Sequence, residues 1–403
     1  MKNRLTKLIK IIGVATMMAT LIVGCGQTES VQVTEESVVE EVVEETTEET
    51  TEETEGLAEG GARIVVDHGG NEVEIPEEIE RVAVLAIYPL PSVITMYLGS
   101  AEVLVGIDQV SMSAAQNGIL SQLFPEILDA NVDYITSDGV NIESLLALEP
   151  DLVFYTAQTV AHKELLETAG IPAVGVSATS WNYDCIETYD QWIALLEQIF
   201  PEKEGKTELV SQYSAAMYDM IQERVVDIPE EEKTRAMFLF TYDDTTMVTS
   251  GVNFFGQYWA TAGGGVNVGE EMPEATSSAA IDMEQVYEWN PDIIYITNFT
   301  ATQPEDLYNN AIGGDDWSTV AAVQNENVHK MPLGSYRSYT PGTDTPVTLL
   351  WMAKTMYPEL FEDIDLIQEV KDYYMEIYDV ELADEDVVSM YDPSRDAAFG
   401  YSN

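Results

Sequence analysis

Two stretches of the chain are copies of one pattern. Asn141-Ile142-Glu143-Ser144-Leu145-Leu146-Ala147-Leu148-Glu149-Pro150-Asp151-Leu152-Val153-Phe154-Tyr155-Thr156 aligns without a gap, at an offset of 141, on Asp282-Met283-Glu284-Gln285-Val286-Tyr287-Glu288-Trp289-Asn290-Pro291-Asp292-Ile293-Ile294-Tyr295-Ile296-Thr297. In each copy Asn141 or Asp282 is a good N-cap for a short amphipathic helix, and the proline disfavours helix in the residue before it. A short, almost continuous apolar run then follows, as expected of a strand buried on both faces of a parallel sheet. Two copies of one helix–strand unit require two similar lobes.

The rest of the chain fits an α/β fold. Residues 63–75 read as a hairpin turning at Gly69-Gly70, 82–87 and 103–107 as strands, and 93–98 as a helix between them. Two helical patterns follow at 186–200 and 204–226, interrupted at Pro201. The second, about 23 residues, spans roughly 35 Å at 1.5 Å per residue, enough to join two lobes stiffly. A second alternating series begins near Arg235 and ends in helices over 346–357 and 366–378. The expected architecture is two Rossmann-like lobes, each a mostly parallel sheet with flanking helices, joined by one long α-helix. The domains read as 61–200 for the first lobe, 201–228 for the linker and 229–403 for the second lobe.

Charge is uneven along the chain. The 403 residues include 72 Asp plus Glu and 17 Lys plus Arg, a formal charge of −55. Nucleic-acid binding needs clustered cations and is excluded on that balance. Four of the cations, Lys2, Arg4, Lys7 and Lys10, precede an apolar run from Ile11 to Val23, the layout of a secretory signal. The run is too short for a comfortable membrane span. It ends in Leu21-Ile22-Val23-Gly24-Cys25, which resembles a bacterial lipobox and implies cleavage after residue 24 and lipid on Cys25. Residues 28–60 hold thirteen Glu and no Lys or Arg. Such a run repels itself and cannot bury enough apolar surface to order, so 25–60 reads as a tether. Cys185 is left without an intramolecular partner and reads as a small buried hydrophobe.

The order and spacing of these pieces resemble the substrate-binding proteins of bacterial ABC importers for iron complexes and cobalamin, the class whose lobes are joined by one long helix. The resemblance rests on Val65-Val66-Asp67-His68-Gly69-Gly70-Asn71 with Glu80-Arg81-Val82, on both copies of the repeat, and on Pro332-Leu333-Gly334-Ser335-Tyr336-Arg337 with Leu350-Trp351-Met352-Ala353-Lys354. It implies an extracytoplasmic, lipid-anchored monomer that delivers an iron chelate to a permease dimer. In that family one Glu from each lobe docks into arginine pockets of the permease, and Glu143 and Glu284 match that role. Either Glu alone is also explained by its place in a helix's first turn; the shared register is not.

In open α/β lobes ligands bind beyond the carboxyl ends of the strands. The loops expected there are rich in aromatic and hydroxyl groups, and Tyr88, Thr156, Trp181, Tyr242, Phe255, Tyr336 and Arg337 are the ligand-contact candidates. Arg337 is their only cation, which weighs against a highly anionic chelate and leaves a neutral ferric hydroxamate, a tetrapyrrole such as haem or cobalamin, or a molybdate- or tungstate-type oxyanion held largely by backbone N–H groups. The three His share no metal-ligand spacing. No GxxxxGK[ST], GxSxG or HExxH motif occurs, so neither an enzyme nor a resident cofactor is expected. A surface adhesin on the same fold is the other alternative.

Overall fold

The computed structural model describes residues 62–136, 139–272 and 278–400. The expected signal, Cys25 and the tether lie outside them. β1 (Arg63–Val66) and β2 (Glu72–Ile75) pair antiparallel as the sequence predicts. Asp67 closes their turn: Oδ1 accepts from Gly69 N and Asn71 N, and Oδ2 accepts from Gly175 N at 2.9 Å. That last bond pins the hairpin to the first lobe's sheet.

The first sheet contains β3 (Val82–Leu85), β4 (Leu104–Gly106), β7 (Leu152–Thr156) and β8 (Ala173–Val176), in the order β4-β3-β7-β8 and parallel throughout. A two-residue pair, β5 (Ile135–Thr136) with β6 (Gly139–Val140), stands apart. The second sheet is mixed. β9 (Arg235–Tyr242), β13 (Ile293–Ile296) and β14 (Val328–Lys330) run parallel, with β11 (Val266–Asn267) parallel beside β9. β10 (Met247–Ser250) and β12 (Ser278–Ala280) are antiparallel at one edge. Only residues 243–246 connect β9 to β10, too few for the crossover that a parallel neighbour needs. Every residue of β3 and β13 is buried, which explains their unbroken apolar sequence.

The repeat is reproduced in its capping and anchoring bonds. Asn141 Oδ1 accepts from Ser144 N and Asp282 Oδ1 from Gln285 N, both at 3.1 Å, starting helices Ile142–Leu146 and Met283–Trp289. Glu149 and Asn290, which precede the prolines, take positive φ of 46° and 42°. Asp151 Oδ2 then accepts from Arg81 N at 2.8 Å, and Asp292 Oδ2 from Arg235 N at 2.9 Å. The guanidinium of Arg81 caps the Leu148 carbonyl, and that of Arg235 caps the equivalent Trp289 carbonyl. Arg81 and Arg235 are therefore a further matched pair, each fastening a helix end to the foot of the neighbouring strand.

The linking helix is Lys206–Val225, 20 residues or about 30 Å. It starts two residues later than the pattern predicts because Gly205 has a φ of 88° and Glu197, from the preceding helix, accepts from Gly205 N and Thr207 N. Val210, Ser214, Met217, Ile221 and Val225 form its buried stripe. Facing that stripe's first turns, Asp190 accepts from Ser211 Oγ at 2.7 Å, and burial pushes its carboxyl up to about 6. A raised acid favours the fold below its unfolded value near pH 4, and that contribution is lost as pH rises through 6. Asp190→Asn is expected to stabilise the protein at pH 8 by about 2 kcal/mol, after discounting residual solvent. The check is urea unfolding at pH 4.5 and 8; an equal effect at both would contradict the assignment.

The C-terminal helices depart from the expected boundary. Residues 366–391 fall within the expected second lobe, 229–403, yet Val370, Tyr373, Tyr374, Ile377, Tyr378, Val387 and Met390 share one core with Val82, Val84 and Leu90 of the first. Tyr378 shares a hydroxyl hydrogen bond with Tyr189, and Lys206 donates to the Ile377 carbonyl. The stripe at 370, 373, 374 and 377 must be covered, and helix Cys185–Ile199 with the start of the linker presents the matching apolar face. Cys185 itself is fully buried.

Candidate functional site

The carboxyl ends of the parallel strands of both lobes carry loops that meet. Tyr183, after β8, sets its ring edge-on against Phe255 at 5.3 Å and Phe254 at 6.1 Å in the second lobe. Ile119 N donates to Gly334 O at 3.1 Å, and Arg337 Nη1 to Val110 O at 3.1 Å. Gly118 permits this approach, since a Cβ there would lie 2.4 Å from the Gly334 carbonyl. On the second-lobe side the rings of Phe240, Phe254, Phe299 and Tyr339 form a continuous wall, with centroids 5.1–6.4 Å apart. Trp259 supports it from behind by donating Nε1–H to Tyr339 O at 2.8 Å.

Arg337 sits at the edge of this wall. It is 1% exposed, and its guanidinium lies 5.5 Å from the ring centres of both Phe299 and Tyr336. Its partners are neutral: Ala397 O at 2.9 Å, Phe399 O at 2.9 Å, Val110 O at 3.1 Å and Tyr336 Oη at 3.3 Å. Burial pushes the Tyr336 phenol up to about 12, so it remains a donor. Asp108, at the start of the helix facing it, is also raised by burial, offset in part by its bond from Val110 N.

The other expected contacts divide. Phe255 stands in the junction, 5% exposed, and half-buried Tyr88 packs against the second lobe's core while its carbonyl accepts from Ser111 Oγ. Thr156 Oγ1 donates to Ala86 O at 3.2 Å, tying β7 to the loop after β3. Trp181 turns away from the wall, edge-on to His68 at 4.9 Å. Tyr242 is a correction. It is 1% exposed and packs in a separate core, donating to Asp315 Oδ2 at 2.8 Å and accepting from Trp317 Nε1 at 3.0 Å. The cause is a bulge. Thr241 faces Val248 while Leu239 faces Thr249, so Phe240 is the extra residue and the alternation reverses beyond it. Phe240 stays on the wall face with Phe238, while Tyr242 turns to the opposite face with Met237 and Leu239.

Sequence reasoning also missed Lys330. Its Nζ donates to the carbonyls of Thr297, Thr300 and Thr302 at 2.7–2.8 Å and so shapes the loop that carries Phe299. Burial pushes its amine down to about 7. A lysine at the end of a short strand has no pattern that announces such a role. Two surface hollows of about 380 and 430 Å³ lie on the first lobe, lined by residues such as Lys163 with Glu167 and Arg81 with Glu126, away from the junction.

Glu143 and Glu284 are exposed in the first turns of their helices. Those helices lead into β7 and β13, so the two carboxylates occupy matching positions in the two lobes.

Comparison with known proteins agrees with this geometry. Residues 93–333 match the family model described as periplasmic binding protein. The molybdate-binding protein MolA of Haemophilus influenzae is 26% identical over 336 residues, which cover 78% of this chain and 91% of that protein. Among solved structures, a periplasmic solute binding protein from Veillonella parvula is 28% identical with a TM-score of 0.72, covering 82% of this chain and 97% of the other. Helicobacter pylori CeuE, solved as a nickel–histidine complex, shares the fold at 22% identity, with a TM-score of 0.63 and coverage of 82% and 99%. The chain belongs to the periplasmic binding protein family, the substrate-binding proteins of ABC importers.

Proposed function

We propose that this protein is the lipid-anchored, monomeric solute receptor of an ABC importer. Acylated Cys25 and the glutamate-rich tether hold it at the outer face of the cell membrane. The two lobes enclose the solute, and Glu143 with Glu284 present the loaded form to the permease. The observation that carries the ligand reading is Arg337, a buried cation at the junction whose described partners are all uncharged. A guanidinium with neighbouring hydroxyls suits a compact oxyanion, and a molybdate-binding relative that this chain matches over 91% of its length supports the same choice.

An iron chelate is the second reading, favoured by the wall of Phe240, Phe254, Phe299 and Tyr339. Calorimetric titration with molybdate, tungstate, sulfate, a ferric hydroxamate and haem separates the two. Molybdate and tungstate are expected to bind, and Arg337→Ala to weaken them by about tenfold to a hundredfold, the range for a hydrogen bond to a charged group. Tight ferric hydroxamate binding with no heat from either oxyanion would replace the first reading by the second.

A further inference from the structure

The last described residues cross from one lobe to the other. Pro393 O accepts from Gln303 Nε2, and Arg395 makes a two-pronged pair with Asp306, at 2.5 and 2.8 Å, besides donating to Ala301 O. These contacts fix the start of the segment to the second lobe. Burial pushes the Asp306 carboxyl up, but the Arg395 fork and the Gln303 N–H more than offset it and hold it below the usual carboxylate range. Ala397 and Ala398 are each 1% exposed. Gly400 then lies on helix Gln109–Asn117 of the first lobe: a Cβ there would meet Gln109 O at 3.2 Å and Ser113 Cβ at 3.3 Å, and its φ of 81° suits glycine.

Two features of this seat are unusual. The folded part from residue 61 onward carries 59 acidic against 13 basic residues, yet among the described residues Arg337 has no carboxylate partner. A buried charge ordinarily has a counter-ion; here the carbonyls of Ala397 and Phe399 stand where anionic oxygens would. Beside Gly400, the Ser113 hydroxyl is buried with no hydrogen-bond partner. The seat thus combines a guanidinium, the Tyr336 phenol and an unused donor from the opposite lobe.

We infer that residues 394–400 are a resident competitor for the ligand's anionic group, occupying the seat of Arg337, Tyr336 and Ser113 and strapping the lobes together until ligand displaces them. The inference rests on the junction being the ligand cleft. Ligand and tail exclude one another, because the same guanidinium N–H groups serve both. Displacement also frees helix Gln109–Asn117 from the second lobe's last segment, so loading and loosening of the strap are one event. The tail lowers apparent affinity by the fraction of molecules in which it is seated.

The test compares the full chain with one ending at Pro393, using molybdate as the calorimetric probe and hydrogen exchange over residues 109–117 as a readout that needs no ligand. The shortened chain is expected to bind molybdate about tenfold more tightly, as removal of a mostly seated competitor requires, and to exchange faster in that helix. Arg395→Gln, which loosens the strap without shortening the chain, is expected to shift both readouts in the same direction and covers the case in which truncation impairs folding. Molybdate affinity unchanged in a folded variant overturns the inference. Faster exchange in a chain that binds neither molybdate nor tungstate, with or without its tail, rejects the oxyanion reading and leaves the strap standing.

Discussion

Uptake is expected to fall by at least about a hundredfold when Glu143 and Glu284 are both replaced by arginine, because each substitution turns a charge-assisted contact worth about 2–5 kcal/mol into a repulsive one. Ligand affinity should stay within about twofold, since both residues are exposed and neither takes part in the junction contacts. Stability should change by only a few tenths of a kcal/mol, the value of an exposed carboxylate in a helix's first turn. Transport of labelled solute into cells carrying the variant, alongside calorimetry of the purified protein, reads both quantities. Either single reversal should give a partial loss, because a two-lobed receptor keeps one anchor. Undiminished uptake in the double variant would end the docking proposal and return both residues to the role of helix-start carboxylates.

The second large effect is on stability. Trp259 is 0% exposed, lies in the helix that backs the aromatic wall, and spends its only polar hydrogen on the Tyr339 carbonyl. Trp259→Ala is expected to cost about 4 kcal/mol, combining a large cavity with a buried carbonyl that loses its donor. That is a substantial part of the roughly 5–15 kcal/mol that holds a typical domain folded. Trp259→Phe should cost less, because most of the volume remains and only the hydrogen bond goes. Urea denaturation with an unchanged slope gives both values; a loss below about 1 kcal/mol for the alanine variant would show that the wall repacks without its support.

Features with a period or a copy were legible in the sequence. The repeat at 141–156 and 282–297 placed two lobes, both N-caps and both buried strands, because each depends on neighbours within a few residues. The linker was legible through its stripe, although its start was not: Glu197, eight residues before Gly205, supplies the capping oxygens. Tyr242 was misplaced because a single bulged residue reverses every later side chain on a strand, and hydropathy does not register one extra residue between apolar neighbours. Arg337 was legible as the one cation among the junction loops, but its partners at 397 and 399 lie some sixty residues on and are carbonyls, which no residue type reveals.

The return of helix Leu366–Tyr378 to the first lobe bears on the order in which the molecule can be made. Strands β3, β4, β7 and β8 are complete by residue 176, yet the core they share still lacks Val370, Tyr373, Tyr374 and Ile377. During synthesis the first half therefore exposes an apolar face until residues 366–378 have left the ribosome, unlike a domain that folds as soon as its own segment emerges. All the strands of the second sheet precede that helix in the chain, so the first lobe's core can close only after the second lobe's sheet has been made.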